Sequence, residues 1–151
     1  MSLSYYYGLN KVKPLLGGHK SKNVWLLEKD IVRKTYDSKL QKHRDNFAKE
    51  ISILTHLAHC PFVPKLLAVD PAKYTFFMNY TGKNPPDTSK TQKKLSKKLK
   101  ELHLHWNVIR ERKGKPYYVI FTKNSTIKKG KLFIIDFGSK HYRIVGPQVM
   151  T

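Results

Sequence analysis

The sequence predicts an α+β chain in which a small antiparallel sheet with one helix is followed by a reduced second lobe. Short runs of β-branched and aromatic residues recur between turn residues, at 31–36, 65–69, 73–80 and 132–135. Two segments, 40–58 and 90–106, repeat apolar residues at helical spacing. The polar segment Thr81–Ser89, with Gly82, Pro85 and Pro86, reads as a linker and divides the chain into residues 1–82 and 83–151.

Composition narrows the function classes. A chain of 151 residues suffices for one domain or two small lobes, and 40% hydrophobic residues exclude global disorder. Thirty Lys and Arg against ten Asp and Glu leave a formal charge of +20, which attracts nucleic acid or an acidic protein surface. Cys60 is the single cysteine, so no internal disulfide forms, and it reads as a small buried hydrophobe. The first residues lack the basic and apolar blocks of a signal peptide, and no apolar run approaches a membrane span. An intracellular, cytoplasmic protein is expected.

In chain order, Tyr5, Tyr6 and Tyr7 suit an arm packed onto the domain. Leu15–Leu27 places glycines and polar residues between two apolar runs, a hairpin whose tip holds Gly17 and Gly18. Ile31–Tyr36 reads as a strand, with Arg33 and Lys34 on opposite faces. Asp37 and Ser38 are candidate caps of the next helix. In that helix Phe47, Ile51, Leu54 and Ala58 make one face, and Glu50 lies beside it, placed to pair with Lys34. Residues 66–80 form a second hairpin around the turn Asp70-Pro-Ala.

Beyond the linker, Leu95, Leu99, Leu102 and Trp106 give the second helix an apolar face. Its remaining surface carries Lys93, Lys94, Lys97, Lys98 and Lys100, which reads equally as a solvated face of long cations or, because such neighbours repel, as a ridge that binds an external polyanion. Arg110, Arg112 and Lys113 extend that basic surface through a loop, Arg110–Lys115. Tyr117–Phe121 reads as a short strand or extended segment, and Ser125–Ile127 pairs with the strand at 132–135. That strand ends in Asp136-Phe-Gly138. A carboxylate leaving a buried strand at a fixed place suits a hard cation, and the glycine permits a sharp turn.

Taken in order over residues 12–142, these parts resemble the eukaryotic-type protein kinase family. Leu16–Trp25 looks like its glycine-rich loop, with Gly17 at the first glycine and Val24 at the valine that covers adenine. Ile31-Val-Arg-Lys34 looks like the strand of the phosphate-binding lysine, and Phe47–Ile51 like the helix whose glutamate, here Glu50, pairs with it. Phe77–Gly82 looks like the hinge, Asn124 occupies the place of a metal ligand twelve residues before Asp136, and Asp136-Phe-Gly138 is the metal-binding triplet. The resemblance implies ATP held by Gly17, Gly18, Val24, Lys34 and Glu50, with Mg²⁺ on Asn124 and Asp136.

Two departures shape what that resemblance implies. The family's catalytic aspartate stands five residues before the asparagine, where this chain has Val119. Asp87 and Glu111 are the acids that could act from elsewhere. Thirteen residues follow Gly138, too few for a full activation segment or the helices that bind a peptide substrate. The expectation is a minimal pseudokinase with a partial Mg-nucleotide site, similar to the short kinase-like proteins of large DNA viruses. The alternative is a basic scaffold that binds a polyanion or packs with an assembly partner in a virus particle.

Overall fold

The computed structural model describes residues 2–15 and 22–146. Within them β1 (Lys11–Pro14), β2 (Lys22–Leu27), β3 (Ile31–Tyr36), β4 (Leu66–Asp70) and β5 (Thr75–Asn79) form one antiparallel sheet in the order β1-β2-β3-β5-β4. The mixed α+β class is therefore as the sequence predicts.

Each face of this sheet takes a helix. Cross-strand partners Val24, Lys34 and Phe76, and then Leu26, Val32 and Met78, share the inner face. Helix α2 (Gln41–His56) closes that face with Phe47, Ile53 and Leu54, all buried. On the outer face Leu27, Ile31 and Phe77 meet α1 (Leu3–Tyr7). The Tyr6 ring lies 5.1 Å from that of Phe77, and the Tyr7 hydroxyl donates to Asp70 Oδ2 at 2.6 Å. The sheet thus carries two helices rather than the one expected, because the aromatic arm folds into a helical turn and covers apolar area that would otherwise face water.

Helix α3 (Ser89–Trp106) starts at Thr88, whose side chain accepts from the Thr91 N–H. It buries Leu95, Leu99 and Leu102 as its spacing predicts. Five short strands in two further sheets follow: β6 (Val108–Arg112), β7 (Lys115–Pro116), β8 (Ser125–Lys128), β9 (Lys131–Ile134) and β10 (Tyr142–Ile144). β8 pairs with β9, and β6 lies between β10 and β7. Leu95, Leu99, Ile134 and Phe137 belong to the same core cluster as Leu26, Val32 and Phe47, so apolar packing is continuous across position 82.

Several local expectations are corrected. Asp37 and Ser38 do not cap α2, which begins after Leu40. Asp37 Oδ1 instead accepts the Lys39 N–H at 2.9 Å, a local turn that competes with capping. The buried stripe of α2 rotates towards Glu50 and Ile53, leaving Ala58 exposed and Ile51 half-buried. The basic segment Arg110–Lys115 is a hairpin and not an open loop. Lys113 and Gly114 both have positive φ (54° and 76°), the two-residue turn that matches strand twist. Lys129 and Gly130 repeat it between β8 and β9 (51° and 76°). Residues 117–121 form no strand. Cys60 is buried, as expected, and burial pushes its thiol pKa up.

The linker is anchored. Thr81 is buried and its hydroxyl meets that of Thr126 at 2.7 Å, while Asn84 Nδ2 donates to the Ser125 carbonyl at 2.8 Å. Gly82, at φ 101°, approaches β8 so closely that a Cβ there would lie 2.0 Å from the Ile127 oxygen. Gly114 also has a positive φ, 76°, but open space around it. Gly82→Ala should therefore cost about 3 kcal/mol or more, from the combined backbone strain and displacement of β8. Gly114→Ala should cost only about 1–2 kcal/mol. Urea denaturation of the two variants measures the difference, and equal losses would remove the close approach at Gly82.

Candidate functional site

Strand β3 alternates its side chains so that Val32, Lys34 and Tyr36 all face α2. Lys34 is 4% exposed and Glu50, on α2, 1%. Their Nζ and Oε1 lie 2.6 Å apart, the pair the sequence predicts. A buried ammonium next to a single carboxylate is a costly arrangement, and other groups complete it. Tyr36 donates its hydroxyl to Glu50 Oε1 at 2.7 Å, and the Phe137 N–H donates to Glu50 Oε2 at 2.8 Å. One carboxylate therefore joins β3, α2 and the turn after β9.

Lys34 Nζ also donates to Asp136 Oδ1 at 3.0 Å. Asp136 has φ 72°, in the left-handed region that aspartate tolerates better than most residues. The backbone thereby leaves β9 at an angle that presents the carboxylate to Lys34, while Phe137 turns inward, fully buried with its ring 4.9 Å from that of Tyr142. Gly138 is required by contact: a Cβ there would meet the Tyr36 hydroxyl oxygen at 2.2 Å.

Lys34 and Asp136 stand at one end of a cavity of about 310 Å³. Leu15, Val24, Val32 and Met78 supply apolar wall, and the hinge residues Thr81 and Gly82 line another part. The result is a slot with apolar walls that also carries Lys13, Lys34, Lys83, Lys123 and Asp136, a mixture of apolar and polar groups that suits a small-molecule site. Among the described residues that line it, Asp136 is the sole carboxylate.

The other predicted residues fall as follows. Gly17 and Gly18 lie outside the described residues. Asn124 is next to the triplet, its backbone carbonyl accepting the Ile135 N–H at 3.1 Å, but it is not on the cavity wall. Val119 is 52% exposed. Glu111 is committed to Arg143, and Asp87 accepts from Gln92 at 3.3 Å, so neither is brought to the cavity. Lys94, Lys97 and Lys98 line a separate groove; Lys93 is exposed beside it. Arg110 stacks over Tyr117 and Tyr142, at 5.3 and 5.8 Å, half-buried and away from that groove. Arg112 stacks on Tyr117 at 5.5 Å, and Lys113 is exposed at its turn. Tyr36 was not among the predicted site residues, although its place two after Lys34 on a strand sets both on one face.

A scan against protein-family models finds no match to the chain, and a search of curated proteins finds none either.

Burial by itself would push Lys34 down, but the charges of Glu50 and Asp136 raise its pKa well above the ordinary 10.5. Burial, followed by the Glu50 charge, likewise raises Tyr36 above the ordinary 10.0. Both groups keep their protons in the fold at pH values where the unfolded chain loses them. Their contribution to stability is thus complete below about pH 10 and declines as pH rises beyond it towards the folded-state values. Denaturation midpoints should fall from about pH 10 upward, and Tyr36→Phe should flatten part of that fall. Glu50→Ala at neutral pH should cost about 3–5 kcal/mol, because it leaves the buried ammonium with Asp136 alone and takes the acceptor from the Tyr36 hydroxyl and the Phe137 N–H, while Lys34→Met/Glu50→Leu should cost less than the sum of its parts. Additive losses would mean that the pair is not coupled.

Proposed function

We propose that the chain is a protein kinase-like domain that binds a magnesium nucleotide in the cavity between β2, β3 and the hinge, without the usual catalytic base. The observation that carries this reading is Lys34 Nζ held between Glu50 and Asp136, at 2.6 and 3.0 Å, at the polar end of an apolar slot. The slot suits a flat base against Val24, Val32 and Met78. Its end suits phosphate oxygens on Lys34.

Charge supports the need for a metal. Lys34 faces two carboxylates, so the trio is net negative when all are ionised. Those two carboxylates oppose phosphate at Lys34 itself, while Lys13, Lys83 and Lys123, which also line the cavity, attract it. Mg²⁺ reverses the sign, and it binds through one or two carboxylates plus phosphate oxygens, a set that Asp136 fits. Asp136 would hold the ion, with Asn124 the nearest predicted helper. The ion's role is to neutralise charge across the phosphates.

Catalysis is another matter. Val119 stands at the place of the base and offers only methyl groups. Loss of a general base costs about 10²–10⁴-fold, so binding with little phosphoryl transfer is the expected behaviour. The reading is tested with the purified full chain by calorimetric titration of ATP with and without Mg²⁺. Binding should require Mg²⁺ and fall at least about tenfold in Asp136→Asn and in Lys34→Met. Binding that is indifferent to Mg²⁺ and to Asp136 would sink it.

A further inference from the structure

A second surface lies where α3 meets the β8–β9 hairpin, remote in chemistry from the apolar slot. Lys94, Lys97, Lys98 and Glu101 recur at three- and four-residue steps and make one stripe along α3. The opposite wall is the hairpin turn, with Lys129, Gly130 and Lys131. Between the walls is an open groove of about 500 Å³. Five lysines face one glutamate across it. Lys98 is partly held, its Nζ 4.7 Å from the centre of the Phe62 ring, and Lys131 lies 5.3 Å over Phe133; Lys94, Lys97 and Lys129 are exposed.

We propose that this groove binds the phosphate backbone of a nucleic acid strand without reading its sequence. Cations from two separate elements converge on one channel, and the single Glu101 leaves most of their repulsion to be relieved by anions from outside the fold. The class of partner follows from what the described walls lack. No aromatic ring lines the groove to stack on a base, and no arginine offers a two-pronged contact to a base edge. Lysine is a point charge that accepts phosphate in any register. An acidic protein would need apolar anchors at the centre of the contact, and the one apolar wall residue, Leu132, is buried. A membrane surface favours a face that inserts apolar side chains, not a channel. The chain's +20 charge extends the attraction along a long polyanion.

The inference is independent of the nucleotide reading, and the two fail separately. The test is fluorescence anisotropy of the full chain with mixed-sequence single-stranded and duplex DNA oligonucleotides over a range of salt. Two variants remove equal charge: Lys97→Gln/Lys129→Gln in the groove, and Lys39→Gln/Lys42→Gln on exposed residues outside it. The groove variant should lose about tenfold or more in affinity at moderate salt, and its salt slope should fall by roughly 1.4–1.8, while the control changes little. The urea denaturation midpoint of the groove variant should match that of the parent, which shows that it is folded. Equal losses in both pairs would overturn the groove in favour of diffuse charge. Competition by polyglutamate or anionic vesicles as effective as unlabelled DNA at equal charge would overturn the choice of partner.

Discussion

The Glu50 carboxylate is the point on which three separate pieces of chain depend. It accepts from Lys34 and Tyr36 of β3 and from the backbone of Phe137 beyond β9, while itself riding on α2. Withdrawing a carboxylate and an ammonium from water costs several kcal/mol each, and even well-made buried pairs rarely repay more than that. The pair is therefore weak as a source of stability but exacting as a constraint. Any shift of α2 away from β3 would strand charge and a buried N–H together. The relative positions of helix, sheet and Asp136 turn are set by that penalty more than by apolar packing, which tolerates small slides.

The constraint acts through a sheet that is covered on both sides. With α1 on the outer face and α2 on the inner, the strands near Lys34 have apolar neighbours throughout, and water does not reach the pair. Burial by itself lowers the Lys34 pKa, but low polarity also strengthens its interaction with both carboxylates, and their charges raise the pKa overall. The same logic explains Gly138. The Tyr36 hydroxyl reaches Glu50 only because no Cβ stands at position 138. Gly82 plays a comparable part at the other end of the cavity, letting the linker lie against β8 so that the hinge residues close the slot.

Much of this was legible in the residues, and the reasons for the rest are physical. Strand alternation placed Lys34 inward, and helical spacing put Glu50 close enough to meet it, since both rules are local and periodic. The Asp136 turn was marked by an apolar run, an acid and a glycine. The helical fold of the arm was not legible, because three tyrosines suit an extended segment as well as a turn of helix. The hairpin at Lys113-Gly114 lacks the asparagine that usually announces such a turn, whereas the pairing of β8 with β9 through Lys129-Gly130 was legible from the two short apolar runs around Gly130. β10 is a three-residue strand whose pairing with β6 depends on tertiary contact. One wall of the basic groove, Lys94, Lys97 and Lys98 on α3, was legible from helical spacing, but the other was not: Lys129 and Lys131 are far from α3 in sequence, and only the packing of β9 beside the helix makes them neighbours.

The surroundings of Lys34 and the basic groove thus obey different electrostatics. At Lys34 the charges are buried, partnered at fixed distance and net negative, so salt changes little and a divalent ion changes much. At the groove the lysines are largely solvated and net positive, so salt governs the interaction and a single divalent ion does not invert it. A protein with +20 formal charge could have met phosphate everywhere by diffuse attraction. Placing two of its ten acids against one buried lysine works against that attraction at this one point. An arrangement that opposes the field of the whole molecule is held in place by Glu50, Tyr36 and Gly138, so its position is fixed by local contacts and not by the net charge.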